Sequence, residues 1–182
     1  MWKRAWWIGA ALALLSSCGG GRFGYDRTYS TYGDEGQYLE REVELSYEDV
    51  RRFPDRHADA LLGWFGTVAE IESLDRNTGR ARLRLQLRPH QDRHLCSDET
   101  AGSCRVTVSQ RAIGPFTALV TLRQEDLVEG TERLWTGSLV KIYGHVSDEG
   151  SEETGPILEA EWYRHWPHGT YVTTAAAGSM RR

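Results

Sequence analysis

The sequence predicts a mainly β protein, a small OB-like antiparallel β-barrel that follows a short helix. Three observations lead to this fold class. One segment alternates strictly between apolar and polar residues, several further segments show the same period of two, and turn-forming residues separate them. About five principal strands joined by turns suit a closed or partly closed barrel, and a sandwich is the alternative.

The clearest predicted strand runs from Arg80 to Arg88. Its apolar residues occupy every second position and therefore point to one face, while arginine and glutamine occupy the other face. One face must then be buried and the other exposed to water. The apolar positions are Ala81, Leu83, Leu85 and Leu87.

A short helix is predicted to begin after Ser46 and to end before Pro54. Ser46 is suited to cap the first turn because Asp49 follows three residues later, and the acids Glu48 and Asp49 favour the positive end of the helix dipole. Proline disfavours helical geometry in the residue before it, so the helix stops there.

Four more segments are predicted as strands. Gly63 and Gly66 give the first of them places to bend, and Gly144 indicates a bulge in the third. In the last, we expect Leu158, Ala160 and Trp162 to share a face. The segments are 61–73, 116–122, 139–146 and 157–166, with a short strand at 105–110 and an acidic loop at 147–155.

The first eighteen residues resemble the leader of a bacterial lipoprotein. Lys3 and Arg4 precede the short apolar run 5–15, and Leu15-Ser16-Ser17-Cys18 resembles a lipobox. The run is too short for a membrane span, which needs about 20 residues. By this resemblance Cys18 becomes an acylated N-terminus. Several acyl chains anchor a protein stably, so membrane lipid is the expected partner of Cys18.

The domain organisation follows from the leader and from composition. Residues 1–17 are the predicted signal peptide, and the Gly- and Tyr-rich residues 18–41 are a predicted flexible tether. Residues 42–172 form the barrel domain, and residues 173–182 form a disordered tail. Gly19 stands where an inner-membrane retention signal would usually have Asp, so the predicted location is the outer membrane, with the domain facing the periplasm or the cell surface.

The charge balance argues against nucleic-acid binding. The chain has 22 Lys and Arg against 26 Asp and Glu, and loss of Lys3 and Arg4 with the leader leaves 20 against 26. Proteins that bind polyanions instead neutralise phosphates with an excess of basic side chains. We found no nucleotide-binding loop, no nucleophile elbow and no zincin motif, so the sequence predicts neither an enzyme nor a cofactor.

Cys96 and Cys104 are predicted to form a disulfide. Cys18 is assigned to lipid, which leaves this even pair in an oxidising compartment, with a turn-like segment between them. His90 and His94 lie nearby and would complete a set of zinc ligand types. Zinc would need both thiolates, so we favour the disulfide, and metal binding by the two histidines stays open.

Two groups of side chains are candidates for ligand binding. The arginines of the second strand can grip an anion with bidentate hydrogen bonds, or they can form an exposed face that pairs with acids, for which Glu159 and Glu161 are the predicted partners. Tryptophans can stack on sugars, or they can belong to the core. The candidate residues are Arg82, Arg84, Arg88, Trp64, Trp162 and Trp166.

Several motifs between Val43 and Tyr171 resemble the Slp-type outer-membrane lipoproteins. They are Ser46-Tyr47-Glu48-Asp49-Val50-Arg51-Arg52-Phe53-Pro54, Gly63-Trp64-Phe65-Gly66-Thr67-Val68, Gly114-Pro115-Phe116-Thr117-Ala118, Gly137-Ser138-Leu139-Val140-Lys141-Ile142-Tyr143-Gly144 and Trp162-Tyr163-Arg164-His165-Trp166. The resemblance implies an outer-membrane lipoprotein with an OB-like barrel and no known catalytic residues. The loop between Cys96 and Cys104 departs from the family pattern.

These observations together predict a non-enzymatic envelope lipoprotein that serves as a structural or interaction module at the outer membrane. The expected partners are membrane lipid, through acylated Cys18, and an envelope protein or glycan. The alternative is an envelope binding module for a small ligand such as a glycan or an anion.

Overall fold

The structure is a computed structural model that describes residues 28–97, 104–151 and 154–180. The predicted signal peptide, Cys18 and residues 19–27 lie outside the described residues. The strands are β1 (Leu62–Leu74), β2 (Arg80–Leu87), β3 (Leu95–Cys96), β4 (Cys104–Arg105), β5 (Thr107–Val108), β6 (Pro115–Thr121), β7 (Leu139–Ser151), β8 (Gly155–Trp166) and β9 (Val172–Thr173).

Five of these strands close into a barrel in the order β1-β2-β6-β8-β7. All neighbours in the barrel are antiparallel except β6 and β8, which pair in parallel over Thr117–Leu119 and Ile157–Glu159. This order of five strands is that of an OB-like barrel. The predicted fold class is confirmed, and the parallel pair is a feature that alternation along the sequence could not reveal.

The helices are short. Ser46 caps α2 as predicted, since its Oγ accepts a hydrogen bond of 3.1 Å from the backbone N–H of Asp49, and the chain continues beyond Phe53 as a 3-10 helix, Pro54–His57. None of the helices in the described part of the chain is long and apolar enough to cross a membrane. The α-helices are α1 (Glu35–Leu39), α2 (Tyr47–Arg52), α3 (Gln124–Leu127) and α4 (Ala177–Met180).

Buried apolar side chains form two separate clusters, one inside the barrel and one outside it. The inside cluster includes the predicted apolar face of β2 together with Phe116, Ala118 and Val120 of β6. The outside cluster contains Phe65, Leu139 and Trp166, against which Tyr29 and Tyr171 pack. Strands β1, β7 and β8 therefore bury side chains on both faces, because other parts of the chain cover their outer surface.

Bulges interrupt the alternation of β1 and β8. The pairing of β7 with β8 shifts between Tyr143 and Gly144, as predicted, but the extra residue is Glu161 of β8. Beyond this residue the faces exchange, so Tyr163 is buried in the barrel, whereas Trp162 lies outside. The prediction that Trp162 shares a face with Leu158 is therefore wrong.

In β1 the extra residues are Ala69 and Glu72, because the pairing with β2 shifts around each of them. The bends that we expected at Gly63 and Gly66 do not coincide with these shifts. Gly66 instead allows a close approach, since a Cβ there would lie 2.7 Å from the Phe116 ring.

Three predicted boundaries are wrong. Residues 28–41 are not a flexible tether, because they contain α1 and contact the barrel through buried side chains. Strand β7 continues into the predicted acidic loop as far as Ser151, which pairs with Gly155. Residues 173–180 are not a disordered tail, since a 3-10 helix, Thr174–Ala176, and α4 follow β9, which pairs with β5.

Candidate functional site

The structure does not bring the six candidate ligand-binding residues to one site. Arg82 lines a cleft between β2, β6 and β8, Arg88 and Trp64 line a second cleft beside α2, and Trp166 lines a third next to α3. The cleft volumes are about 840, 880 and 390 Å³.

Arg82 and Arg84 of β2 share a partner that the sequence did not predict. Glu72, the extra residue of the β1 bulge, accepts hydrogen bonds of 2.9 Å from Arg82 Nε and 2.7 Å from Arg84 Nε. The hydrogen bond from Arg84 is the main reason why the pKa of Glu72 lies below its usual value. The predicted partner Glu161 instead binds Arg41 and His145, each at 3.1 Å.

Arg88 has a structural role. Its guanidinium donates to Thr67 Oγ1 at 3.0 Å and to the backbone carbonyl oxygens of Ser109 and Gln110 at 3.2 and 2.5 Å. These bonds connect β2 to β1 and to the segment after β5. The planar fork of arginine suits this bridging of several acceptors.

The three candidate tryptophans belong to packed clusters. Trp64 lies inside the barrel, where its ring meets the edge of Phe116 at 5.5 Å, and Trp166 stacks on Phe65 at 5.8 Å. Trp162 stacks on Tyr38 of the N-terminal segment at 5.7 Å. All three rings are therefore packed against other side chains and do not form an open platform for ligands.

The predicted disulfide between Cys96 and Cys104 is present, with the two Cα atoms 4.0 Å apart. It joins β3 to β4, whose residues pair at the two cysteines. By the chain-entropy estimate, closing so short a loop contributes about 2–3 kcal/mol to stability.

His90 and His94 form a close pair. Because Cys96 and Cys104 are joined in the disulfide, neither can serve as a thiolate ligand beside the two histidines. Their Nε2 atoms are 3.3 Å apart, and the His90 ring stacks on Phe65 at 4.7 Å. Burial, and next the charge of His94, lowers the pKa of His90 to about 4, and burial also lowers the pKa of His94. Among the described residues no group of three His, Cys, Asp or Glu side chains has the spacing of a metal site.

The His90 pKa predicts a pH-dependent stability. The fold favours neutral His90, whereas in the unfolded chain the imidazole gains a proton near pH 6.5. Stability is therefore complete above pH 6.5 and falls as the pH is lowered towards 4. Urea unfolding between pH 4 and 7 measures this slope, and we expect His90→Phe to flatten it. The control is His57→Phe, away from the pair. If the stability of His90→Phe falls with pH as steeply as that of the wild type, His90 is not the source of the pH dependence.

A buried polar cluster joins the N-terminal segment to the outer surface of β7 and β8. We call residues 28–42 the N-terminal strap. Its Glu35 is fully buried, and the two carboxylate oxygens accept hydrogen bonds from four donors. The donors are the Tyr29 hydroxyl, the Tyr32 backbone N–H at 3.0 Å, the Tyr143 hydroxyl at 3.0 Å and Arg164 Nη1 at 3.0 Å.

Lys141 connects the strap to β7 with a second ion pair. Its Nζ lies 3.0 Å from Glu42 Oε2 and 4.4 Å from the centre of the Tyr143 ring, and the side chain is almost completely buried. Burial lowers the pKa of Lys141, while the charge of Glu42 opposes this shift. Burial likewise raises the pKa of Tyr29 and of Tyr143.

The sequence analysis missed this cluster because its members are far apart in the chain. Glu35 and Glu42 lie in a Tyr- and Gly-rich segment without apolar periodicity, whereas Lys141, Tyr143 and Arg164 belong to strands. Alternation does place Lys141 and Tyr143 on the same face of β7, opposite to Ile142. A lysine usually predicts an exposed face, so this pattern gave no signal that the face is covered.

A second buried polar cluster has the connectivity of a catalytic triad. His165 Nδ1 lies 2.7 Å from Asp126 Oδ1, and His165 Nε2 lies 3.1 Å from Ser138 Oγ. Ser138 is completely buried, however, and its backbone N–H and that of Gly137 donate to Trp135 and Val68. An acyl-transfer site needs an exposed nucleophile and free N–H donors for an oxyanion. We therefore assign the cluster to the attachment of α3.

Asp126 is the centre of this second cluster. Burial opposes its charge, but hydrogen bonds from His165 and from the Tyr163 hydroxyl outweigh burial and lower the pKa of Asp126. Arg123 Nε also lies 3.3 Å from Asp126 Oδ2. The carboxylate thereby joins α3 to the part of β8 that follows the bulge.

The fold and these clusters define a small closed OB-like barrel with a docked N-terminal strap. A scan against protein-family models finds none that matches the chain, and a search among curated proteins finds no match either. The resemblance to the Slp-type lipoproteins therefore stays a prediction.

Proposed function

We propose that the protein is a lipid-anchored lipoprotein of the outer membrane and acts there as a non-enzymatic structural or interaction module. The leader and the lipobox at Leu15–Cys18 support the anchor. The loose resemblance to Slp-type lipoproteins supports the location. An envelope protein or a glycan is the proposed partner beyond the lipid itself.

The lipobox carries this proposal, and the docked strap limits how far the barrel can lie from the proposed anchor. The strap is bound to the barrel from Tyr29 onwards, so only residues 19–27 separate the lipidated cysteine from the docked chain. A fully extended chain spans at most about 3.6 Å per residue, which limits the distance from Cys18 to Thr28 to about 35 Å. On this proposal the barrel lies within about 35 Å of the bilayer surface.

Replacement of the lipidated cysteine tests the proposal. We expect Cys18→Ser to abolish incorporation of labelled palmitate and to move the protein from the outer-membrane fraction to the soluble or uncleaved fractions, because no acyl chain remains. The control is Ser17→Ala, which keeps a small residue before the cysteine. Unchanged fractionation of Cys18→Ser after a salt wash would contradict the anchor.

The alternative, a binding module for a small envelope ligand such as a glycan or an anion, has one observation in its favour. Arg82, one of the six candidate residues, lines the cleft of about 840 Å³ between β2, β6 and β8. This volume lies within the range of small-molecule sites.

A further inference from the structure

The cleft between β6 and β8 results from the way in which the barrel closes. Parallel pairing of the two strands ends at Leu119 and Glu159, after which β6 stays with β2 while β8 stays with β7. Two of the inward positions at this end carry alanine, Ala81 and Ala160. The separation of the strands and the small side chains together leave the cleft of about 840 Å³.

Opposite charges stand on the two sides of this cleft. Arg82, Leu119 and Glu159 occupy directly neighbouring positions on β2, β6 and β8, so their side chains lie in one row on the outer face. Arg80 is two residues from Arg82 and belongs to the same face. The row therefore runs from basic through apolar to acidic.

Within the described part of the chain, these charged side chains are only partly paired with other protein groups. Arg80 and Glu159 line the cleft and have no ion pair or side-chain hydrogen bond with another described residue. Asp75 also lines the cleft and interacts with the charge of Arg80, but its carboxylate oxygens already accept hydrogen bonds from Asn77 and Thr78. Arg82 is held by Glu72 through Nε at 2.9 Å, which leaves further N–H donors of its guanidinium. Two guanidinium groups on one side of a cleft suit a carboxylate, and a lone carboxylate on the other side suits an ammonium group.

We propose that this cleft binds a short zwitterionic ligand, with the chemistry of a peptide that has free termini. Its carboxylate pairs with Arg80 and Arg82, its body lies over Leu119 and its ammonium group pairs with Glu159. Two strand spacings separate the charged rows by about 10 Å, and an extended tripeptide has a similar length. The cleft beside α2 is less suited, because the ammonium group that lines it, Lys141, is already paired with Glu42.

Tri-alanine with free termini is the first probe. The intact protein, purified in detergent, is titrated and followed by NMR, so the result does not depend on where the protein is anchored in cells. We expect saturable binding of one peptide. N-acetylation or C-amidation of the peptide should each weaken binding by at least about fivefold, because each removes one of the two charges.

Variants then assign each charge to its side of the cleft. Arg80→Gln should weaken binding of tri-alanine by a similar factor and reduce the effect of C-amidation, because Arg82 alone then faces the carboxylate. Glu159→Gln should weaken binding likewise and make the protein insensitive to N-acetylation. The matched controls are Arg76→Gln and Glu70→Gln, which change exposed residues outside the cleft. Ala160→Leu should abolish binding by filling the cleft, while the NMR spectrum reports that the variant is folded.

Three results would overturn the proposal. They are the absence of saturable binding, equal binding of tri-alanine and its two blocked forms, and binding that Arg80→Gln and Glu159→Gln leave unchanged. None of these results bears on the lipid anchor, which the palmitate and fractionation experiment tests separately.

Discussion

Replacement of Glu35 by glutamine is expected to release the N-terminal strap and to lower the free energy of unfolding by about 3–5 kcal/mol. The two carboxylate oxygens of Glu35 accept from four donors, and a glutamine would turn an NH₂ group towards two of them. Arg164 would also lose its charged partner in a largely buried position. Urea unfolding measures the loss of stability, and trypsin cleavage after Arg41 measures the release of the strap.

The matched control is Glu40→Gln in the same strap. Glu40 is exposed, so its replacement should change stability by less than about 0.5 kcal/mol and leave the trypsin sensitivity unchanged. If Glu35→Gln and Glu40→Gln behave alike, the strap is not held by the buried carboxylate, and the proposed limit on the distance between Cys18 and the barrel loses its basis.

Replacement of Asp126 by asparagine is expected to cost about 3 kcal/mol, the second large effect. Asp126 accepts from His165, Tyr163 and Arg123, and an asparagine would turn its NH₂ group towards at least one of these donors. The stabilisation that Asp126 gives to the wild-type protein should also depend on pH. Because the pKa of Asp126 is lowered in the fold, this contribution is complete above the unfolded pKa of about 3.9 and is lost as the pH falls through the folded value.

The control for Asp126 is Glu132→Gln, an exposed acid in the loop that follows α3. Urea unfolding at pH 7 and at lower pH compares the two variants with the wild type. The wild type should approach Asp126→Asn in stability at acidic pH, apart from effects shared by all three proteins. A constant difference down to pH 2 would show that the charge of Asp126 is not the source of its contribution.

Local patterns predicted the barrel well because its strands obey a period of two. The inward residues of β2 and the cap of α2 at Ser46 are where the sequence places them. The order of the strands also agrees with the predicted OB-like class. The alternation of β2 and the cap of α2 each depend on residues that are close together in the chain.

The parts that could not be predicted depend on contacts between distant segments. The strap has no apolar period, and it is ordered because Arg164 and Tyr143, more than 100 residues away, satisfy one buried carboxylate. Glu161 is an extra residue in β8 only by comparison with β7, so alternation alone assigned Trp162 to the wrong face. The six candidate ligand-binding residues do not lie in one site because local patterns do not show which strands are neighbours in the barrel.

The extra residue Glu161 has a consequence for how this chain can change over time. It shifts the alternation of β8 by one residue, so Leu158 before it and Tyr163 after it both point into the barrel. Trp162 and Arg164 consequently point towards the strap. A one-residue deletion at this point would reverse the second half and remove the receptor for the strap together with part of the core. We therefore expect a one-residue insertion or deletion at this point to disrupt the attachment of the strap and the packing of the barrel together.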